Sequence, residues 1–304
     1  MTTNPTTTNP TTTRLLVTGA RGQLGSDLVA GAEAAGLPCE ACGSRDLNIT
    51  DADAVDKVVS AFAAGGGRPV LINAAAYTAV DAAESDPATA YAVNETGAAN
   101  LARAAAAHGA RLIHVSTDYV FPGDATRPYR VDDPTGPRSV YGASKLAGEQ
   151  AVLAALPGAH VVRTAWVWGT TGNNFVKTMA KLAATRPTVD VVDDQRGTPT
   201  YAADLAGGLL ELATADVPGG VLHATNAGET TWFGFARAIF EELGQEPERV
   251  HPTTTDKFPR PAPRPAYSVL SGEAWAAAGL SPLRGWRDAL IDAFTHAPEA
   301  FRPA

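Results

Sequence analysis

The chain has 304 residues, 45% of them hydrophobic, which suits one large α/β domain or two lobes that share a core. Its formal net charge of −8 argues against a surface built for nucleic acid or for an anionic membrane. No apolar run is long enough to span a bilayer, and the start of the chain lacks the pattern of a signal peptide. We therefore expect a cytoplasmic protein that acts on a small molecule.

Residues 1–13 repeat Thr, Asn and Pro, with no apolar side chain after the initiator Met. Such a segment has nothing to bury against a core, so we predict a disordered tail. The first ordered element is expected to begin at Arg14.

A strand, a glycine turn and a helix follow the tail in immediate succession. Residues 14–18 are short and apolar, the turn has the spacing G-x-x-G-x-x-G, and a helical pattern runs on to Ala35. Glycines let the backbone approach a pyrophosphate closely, and the helix N-terminus offers free amides and a positive dipole end. We therefore predict a dinucleotide site with contacts from Gly19, Gly22, Gln23 and Leu24.

The only two cysteines, Cys39 and Cys42, have the C-x-x-C spacing of a redox motif. Redox motifs place the first cysteine at a helix N-terminus, whereas these residues lie in a segment that we expect to be the second strand. Residues three apart on a strand point to opposite faces, so we predict two free buried thiols.

The end of the second strand is where the adenosine ribose of a dinucleotide lies in such folds. An acidic residue there accepts hydrogen bonds from a free 2′-hydroxyl, whereas arginine favours a 2′-phosphate. Ser44 and Arg45 occupy this position, which favours NADPH over NADH. In the alternative, Arg45 is a solvated loop residue and Asp46 reaches the ribose.

Helical and strand patterns alternate with short connections through the first half of the chain. Residues 51–64 and 86–107 read as helices, while residues 69–73 and 111–115 read as buried strands. This alternation predicts a Rossmann-like, doubly wound parallel sheet. Small residues after the third strand let a cofactor lie against the backbone, and they are Ala74, Ala75 and Ala76.

Thr117 follows the fourth strand, and Tyr141 and Lys145 are spaced four apart at the start of a helix. Residues four apart share a helix face, so a lysine ammonium there would favour the phenolate and lower the pKa of Tyr141. Tyr141 is therefore the candidate general acid. Thr117 lies at the ligand-binding edge of the sheet and can hydrogen-bond a substrate carbonyl.

Four blocks of sequence are distinctive: VTGARGQLG at 17–25, NAAAYTAVD at 73–81 with Ala83 and Glu84, STDYVF at 116–121 and VYGASKLAGE at 140–149. Together they resemble the dTDP-4-dehydrorhamnose reductase family of the extended short-chain dehydrogenases/reductases. Shorter matches follow downstream at 163–168, 173–175, 194–200 and 264–268. The resemblance covers nearly everything after Thr13.

This resemblance implies a keto-sugar reductase in which hydride passes from a nicotinamide to C4. Tyr141 would protonate the new alkoxide, Thr117 would polarise the carbonyl, and Lys145 would hold the nicotinamide ribose and tune Tyr141. Asp118, Trp166 and Asn174 match family positions near the sugar nucleotide. The other residues that we expect to contact the cofactor are Ser44, Arg45, Asn48, Ala74, Ala75, Ala76 and Tyr77.

Two departures from the family pattern bear on specificity. The family often has Asn where Tyr267 stands and Asp where Asn48 follows Leu47. Tyr267 is therefore expected to reshape the substrate pocket, and Asn48 to change how adenine is held. The reductase chemistry survives both changes.

We expect residues 14–165 to form an NAD(P)-binding domain, rejoined by about residues 199–215. Residues 166–304 would form a smaller C-terminal lobe over the sugar nucleotide, as a monomer or a homodimer. Its predicted elements are helices at 174–185, 204–213 and 231–243, a strand at 189–192, and a Pro-rich run without regular structure at 252–265.

The six histidines have no ligand spacing, so we predict no catalytic metal. Some family members are expected to dimerise around magnesium, and Asp27 falls near one of the acidic positions concerned.

Three functions remain open. The first is reduction of a dTDP-4-keto-6-deoxy sugar, in dTDP-L-rhamnose formation or in an antibiotic deoxysugar pathway. The second is a non-catalytic NADP-binding regulatory subunit, which would not need Thr117, Tyr141 and Lys145 together. The third is an epimerase or 4,6-dehydratase, but a dehydratase typically carries Thr-Asp-Glu where Tyr119 follows Asp118 here.

Overall fold

The computed structural model describes residues 12–302 as an α/β fold around a parallel sheet of six strands. The predicted tail lies outside the described residues except for its last two positions. Thr13 is already part of the first strand, where it pairs with Arg68, so the strand begins one residue earlier than predicted. The strands are β1 Thr13–Thr18, β2 Cys39–Cys42, β3 Arg68–Asn73, β4 Arg111–Thr117, β5 His160–Thr164, β6 Val167–Trp168, β7 Val189–Val192, β8 Arg196–Gly197, β9 Thr200–Tyr201, β10 Gly220–His223, β11 Thr230–Thr231 and β12 Val250–Thr253.

Helices separate most of these strands. They are α1 Gln23–Ala34, α2 Ala52–Ala63, α3 Val80–Ala83, α4 Pro87–Tyr91, α5 Ala98–Ala107, α6 Val140–Ala155, α7 Phe175–Thr185, α8 Ala202–Thr214, α9 Trp232–Glu242, α10 Glu273–Ala277 and α11 Trp286–His296. Short 3₁₀ turns occur at Asp118–Val120, Pro247–Arg249, Thr255–Lys257 and Pro298–Phe301. None of the helices between residues 12 and 302 is both long enough and apolar enough to cross a membrane.

The six strands follow the order β10-β5-β4-β3-β1-β2, and all of them run parallel. Apolar side chains alternate between the two faces, as a sheet covered on both sides requires. Leu15 and Val17 of β1 pack under α1 and α8, whereas Leu16 packs on the side of α2, α5 and α6. The predicted doubly wound parallel sheet is therefore confirmed.

The predicted helix at 86–107 is present, but it is not a regular α-helix throughout. A π-helical segment, Ala92–Gly97, joins α4 to α5. This segment lies against α6 so closely that a Cβ on Gly148 would meet the Asn94 carbonyl oxygen at 2.0 Å. Single π turns of this kind often occur at functional sites, and this one directs Asn94 toward the start of α6.

A second core joins α7, α9 and α11 with β7 and β12. The predicted helices at 174–185, 204–213 and 231–243 and the strand at 189–192 are confirmed within two residues at each end. The prediction that residues 252–265 have no regular structure is wrong for the first half of this run: Pro252 and Thr253 lie in β12, which pairs with β7, and Thr255–Lys257 forms a 3₁₀ turn. The local sequence patterns gave no prediction for β5, β10, β12, α3, α10 or α11, nor for the two-residue strands.

The chain returns to the central sheet after the second core has begun. α8 packs on α1, and β10 then adds the sixth strand beside β5. Trp275 and Leu280, at and after α10, are buried in the same core as α8. The division into a cofactor domain and a substrate lobe remains a proposal about function, since the two parts of the chain share this core.

Cys39 and Cys42 are free thiols, as predicted, but neither is fully buried. β2 is the edge strand of the sheet, which leaves both residues partly exposed. Burial and the nearby Glu40 still raise the pKa of the Cys39 thiol, so the reactive thiolate of a redox motif is disfavoured.

Candidate active site

A cavity of about 440 Å³ opens at the carboxyl ends of β1, β3, β4 and β5. Ligands bind at this edge in open α/β sheets. The cavity brings together most of the residues selected from the sequence, namely Gly22, Gln23, Leu24, Ala74, Ala76, Thr117, Asp118, Tyr141, Lys145 and Trp166. The selected residues outside its lining are Gly19, Ser44, Arg45, Asn48, Ala75, Tyr77 and Asn174.

The glycine turn after β1 has the geometry that a dinucleotide needs. Gly19 has a φ of 71°, and a Cβ at this position would lie 2.6 Å from the backbone of Ala74. A Cβ on Gly25 would lie 2.1 Å from the Gly19 carbonyl oxygen. Gly22 is the N-cap of α1 and provides no side-chain cap, so first-turn amides remain available to an anion. These residues fit a cofactor diphosphate.

Asn94 fixes the segment after β3, although sequence analysis did not select it. Its Oδ1 accepts from Tyr77 N at 2.8 Å, and its Nδ2 donates to Tyr77 O at 3.1 Å. The same Nδ2 donates to Ser144 Oγ of α6 at 3.0 Å. Asn94 therefore joins the predicted cofactor segment to the helix that carries Tyr141 and Lys145.

The residues after β2 lie on an exposed rim. Arg45 and Asn48 are both exposed, and Asn48 Oδ1 accepts hydrogen bonds from its neighbour Thr50. Asp46 accepts from Gly43 N at 2.8 Å, which holds the pKa of its carboxyl below the usual value, and it also pairs with Arg21. Asp46 is thus engaged within the protein, and Arg21 is a second cation beside Arg45 that sequence analysis missed.

Thr117 and Asp118 form a buried pair at the end of β4. Thr117 Oγ1 donates to Asp118 Oδ1 at 2.9 Å. Asp118 Oδ2 has no hydrogen-bond partner among the described residues. The nearby Ser268 hydroxyl acts to lower the pKa of Asp118, against the effect of burial. Burial raises the pKa of Asp118 to about 6. A carboxyl in this condition exchanges its proton close to neutral pH.

Tyr141 is the second residue of α6 and faces the cavity. Burial raises the pKa of Tyr141 to about 12, against the opposing effect of the neighbouring Thr117 hydroxyl. The expectation that Lys145 lowers this pKa is wrong in this structure, because desolvation outweighs the other contributions. Tyr141 therefore holds its proton at neutral pH.

Lys145 lies one helical turn further into the protein, 2% exposed. Its Nζ donates to Val115 O at 2.7 Å and lies 3.5 Å from His114 Nε2. Burial lowers the pKa of Lys145 to about 8, although Glu149 on the same helix opposes this change. The Lys145 amino group is thus held by β4 at the cavity wall.

Trp166 has a strained backbone at the cavity wall. Its φ is 47°, and it is the one residue other than glycine at positive φ among residues 12–302. Its ring stacks on Trp232 with centroids 3.6 Å apart and planes 8° apart, while a Cβ on Gly197 would lie 2.4 Å from the ring. Trp232, which sequence analysis missed, also lines the cavity.

Asn174 is predicted from the sequence to contact the substrate, but it does not line the cavity. It is the N-cap of α7, where its Oδ1 accepts from Lys177 N at 3.1 Å. Its Nδ2 donates to Gly169 O at 2.8 Å and to Gln23 Oε1 at 3.0 Å. Asn174 therefore orients Gln23, which does line the cavity.

The Pro-rich segment approaches the site through Arg264. Arg264 pairs with Asp81 at 2.8 Å and so ties residues 262–264 to the start of α3. Tyr267 lies outside the cavity lining, and its hydroxyl donates to Glu229 Oε2 at 3.0 Å. The expected effect of Tyr267 on the pocket remains a prediction.

Between residues 12 and 302, no three His, Cys, Asp or Glu side chains cluster so as to hold a metal ion. Asp27 is a half-buried acid on α1, and burial raises its pKa to about 6. Its Oδ2 is buried without a hydrogen-bond partner among the described residues.

A parallel sheet, a glycine turn and a cavity that holds Thr, Tyr and Lys define a Rossmann-fold reductase of the short-chain class. The sequence matches the RmlD substrate binding domain model over residues 13–298, and the chain belongs to this family.

The chain is 57% identical over 285 residues to the dTDP-4-dehydrorhamnose reductase of Mycobacterium tuberculosis, covering 92% of each chain. It is 45% identical over 283 residues to the dTDP-4-keto-6-deoxy-D-glucose reductase of Streptomyces niveus, covering 92% of this chain and 96% of that one. The crystal structure of dTDP-4-dehydrorhamnose reductase from Bacillus anthracis in complex with NADP superposes with a TM-score of 0.89 at 37% identity, covering 94% of this chain and 100% of that one.

Proposed function

We propose that this protein reduces the C4 keto group of a dTDP-4-keto-6-deoxy sugar with NADPH, as a dTDP-4-dehydrorhamnose reductase. One observation carries the proposal. The same cavity is lined by the glycine turn at residues 22–25 and by Thr117, Tyr141 and Lys145. A cofactor laid on the turn and a ketone held by Thr117 therefore share one enclosed space.

When bound, NADPH supplies the hydride. The protein supplies the proton: Tyr141 Oη donates it to the alkoxide at C4, so that hydride and proton together convert the ketone to an alcohol. Tyr141 suits this role because it is a neutral phenol at neutral pH, and a sugar alkoxide is a stronger base than a phenolate. The Thr117 hydroxyl stabilises the charge that develops on the carbonyl oxygen.

Asp118 and Trp166 are proposed to contact the sugar nucleotide, since both line the cavity next to Thr117. Asn174 is proposed to act through Gln23 rather than by direct contact, because its polar atoms are taken up by Gln23, Gly169 and the α7 cap. Ser44 and Arg45, at the exposed rim, are proposed to meet the 2′-phosphate of NADPH.

The sugar specificity has a second candidate. Tyr267 stands where the family often has Asn, and a Streptomyces niveus relative at 45% identity is named as a reductase of dTDP-4-keto-6-deoxy-D-glucose. This favours, as the alternative, a related keto-sugar reductase of an antibiotic deoxysugar pathway. Cytoplasmic location and a monomeric or homodimeric state stay predictions.

The test is NADPH oxidation by the purified protein with a panel of dTDP-4-keto sugars, dTDP-4-dehydrorhamnose among them. We expect turnover, with the highest kcat/KM for dTDP-4-dehydrorhamnose. Preference for another keto sugar would support the alternative pathway. Tight NADPH binding without turnover of any keto sugar would refute the reductase function and favour the regulatory subunit.

A further inference from the structure

A hydrogen-bond network of buried polar side chains extends behind the cavity from β1 to α6. Thr18 Oγ1 donates to Asn73 Oδ1 at 2.8 Å, and Ala75 N donates to the same oxygen at 3.0 Å. Asn73 Nδ2 lies 2.9 Å from His114 Nδ1, and His114 Nε2 lies 3.5 Å from Lys145 Nζ. Apart from Ala75, which is half-buried, these residues are all at most 2% exposed.

A backbone N–H fixes the directions of the hydrogen bonds in this network. A backbone N–H only donates, so the Asn73 atom that faces Ala75 N must be the amide oxygen. The Asn73 amide nitrogen therefore faces His114 Nδ1 and donates to it. His114 Nδ1 must be an unprotonated acceptor, which leaves the imidazole proton on Nε2.

The resulting Nε2–H of His114 points toward Lys145 Nζ. An ammonium at Nζ has only N–H donors, so two donors face each other when Lys145 is charged. A neutral amine has a lone pair that can accept from Nε2–H, while it still donates to Val115 O at 2.7 Å. The hydrogen-bonding groups around Lys145 Nζ are therefore better satisfied when Lys145 is a neutral amine.

We propose that Asn73 and His114 are positioning residues of the reductase, in which Asn73 fixes the Nε2–H tautomer of His114 and this tautomer favours the neutral amine of Lys145. The inference rests on the proposed function, because it assigns the ionisation of Lys145 a role in turnover. Neither residue lines the cavity. Both act through Lys145.

Burial, rather than a neighbouring charge, lowers the pKa of Lys145, since the nearby Glu149 favours the ammonium. His114 approaches it from β4, and Glu149 acts on it from α6. Glu149 is itself buried in an ion pair with Arg163 of β5 at 2.8 Å, so much of its charge is already balanced. The ammonium is the form that binds a ribose and favours proton transfer, so activity falls as pH rises through the pKa of Lys145, which is about 8.

The tautomer can be measured without turnover. Long-range ¹H–¹⁵N spectra of protein labelled with ¹⁵N-histidine report which ring nitrogen of His114 carries the proton, and a His114→Gln variant assigns the signal. We expect a neutral ring protonated at Nε2 at pH 7. A ring protonated at Nδ1, or at both nitrogens, would overturn the proposal even if the enzyme were fully active.

Asn73→Asp reverses the directions of the hydrogen bonds in this network, while the side chain keeps nearly the same shape. The carboxylate accepts from Ala75 N, Thr18 Oγ1 and His114 Nδ1–H, which leaves Nε2 as an acceptor for the Lys145 ammonium. We expect the alkaline limb of kcat to move up by about one pH unit or more, as a charge-assisted hydrogen bond replaces opposed donors. Thr18→Val is the matched control, because it removes a bond to the same oxygen while Ala75 N still orients Asn73. Its limb should not move.

A carboxylate also attracts a nearby ammonium directly, so the double variant Asn73→Asp/His114→Phe separates the two effects. We expect a clearly smaller shift in the double variant, because the ring that transmits the change is gone. An equal shift would show that the carboxylate acts without His114 and would overturn the proposal. The proposal would also be overturned if Asn73→Asp reversed the tautomer of His114 but left the alkaline limb of kcat unmoved. Absence of turnover in the wild type would instead refute the proposed function, and the tautomer would stand.

Discussion

The two sides of the cavity differ in how their buried polar groups are satisfied. On the cofactor side, Asn73 and Asn94 use both their oxygen and their nitrogen in hydrogen bonds to neighbouring elements. On the substrate side, buried oxygens of Ser116, Asp118 and Thr164 have no partner among the described residues. The cofactor side is thus a fixed frame, whereas the substrate side presents polar groups at the cavity that no described residue satisfies.

This contrast leads to opposite expectations for substitutions on the two sides. Removing a partner from the cofactor side should leave another group unsatisfied and destabilise the fold. Removing the charge from the substrate side should stabilise the fold while it impairs the reaction.

The largest effect is expected for Tyr141→Phe, which removes the proton donor and keeps the ring. General-acid catalysis contributes roughly 10²–10⁴-fold, so kcat should fall by about that factor. Steady-state NADPH oxidation and a separate NADPH titration measure the two properties, and NADPH affinity should change little. Turnover close to the wild type would remove Tyr141 from the mechanism.

Asn94→Ala should lower the free energy of unfolding by about 2–4 kcal/mol, because Tyr77 N and Tyr77 O both lose a partner. NADPH affinity should fall too, since Asn94 fixes the segment after β3. Asn226→Ala is the matched control: Asn226 is 2% exposed and likewise bonds one backbone N–H and one backbone C=O, but those of Tyr201 and Arg284, outside the cofactor segment. It should lose stability and keep NADPH affinity. Equal loss of affinity in both variants would contradict a fixed frame specific to Asn94.

Asp118→Asn should stabilise the protein at neutral pH. The folded pKa of about 6 lies above the usual 3.8, so the folded state binds more protons and burial of the carboxylate costs stability as pH rises between these values. The full cost above pH 6 corresponds to about 3 kcal/mol, which already includes the opposing bond from Thr117. Urea unfolding at pH 4 and at pH 7.5 should show a gain only at the higher pH. A loss of stability at pH 7.5 would mean that the substrate side is as well satisfied as the cofactor side.

The smallest effect is expected for Arg45→Ala, which should weaken NADPH by about tenfold and NADH very little. Arg45 is exposed, and solvent screens its contact with a 2′-phosphate. Arg21→Ala is the companion variant, because Arg21 lies on the same rim and pairs with Asp46. Isothermal titration with both cofactors compares them. If only Arg21→Ala discriminates between NADPH and NADH, the sequence pointed to the wrong arginine.

The sequence predicted four of the six strands of the central sheet and most of the cavity, because these depend on local patterns. The glycine spacing, the buried strands and the Tyr141–Lys145 spacing can each be recognised within ten residues or fewer. The family resemblance, rather than a local pattern, predicted Asp118 and Trp166 at the cavity.

Features that depend on distant contacts could not be predicted in this way. The high pKa of Tyr141 reflects burial by the whole fold, and the use of Asn94 depends on a π segment that has no clear signature in an Ala-rich run. A positive φ, as at Trp166, is unusual for a side chain of that size. The ring packs against Trp232 and Gly197, which are distant in sequence, so this conformation could not be predicted locally.

The return of α8 and β10 to the central sheet has a consequence for exchanging parts between relatives. Cutting the chain after β5 would remove the helix that covers α1 and an outer strand of the sheet. A transplanted sugar specificity would therefore have to arrive as three inserts, one between β5 and α8, one between β10 and α10 and one after Leu280, while residues 202–223 and 273–280 stay with the host. Chimaeras joined at a single crossover would carry a mismatched core, however similar their parents.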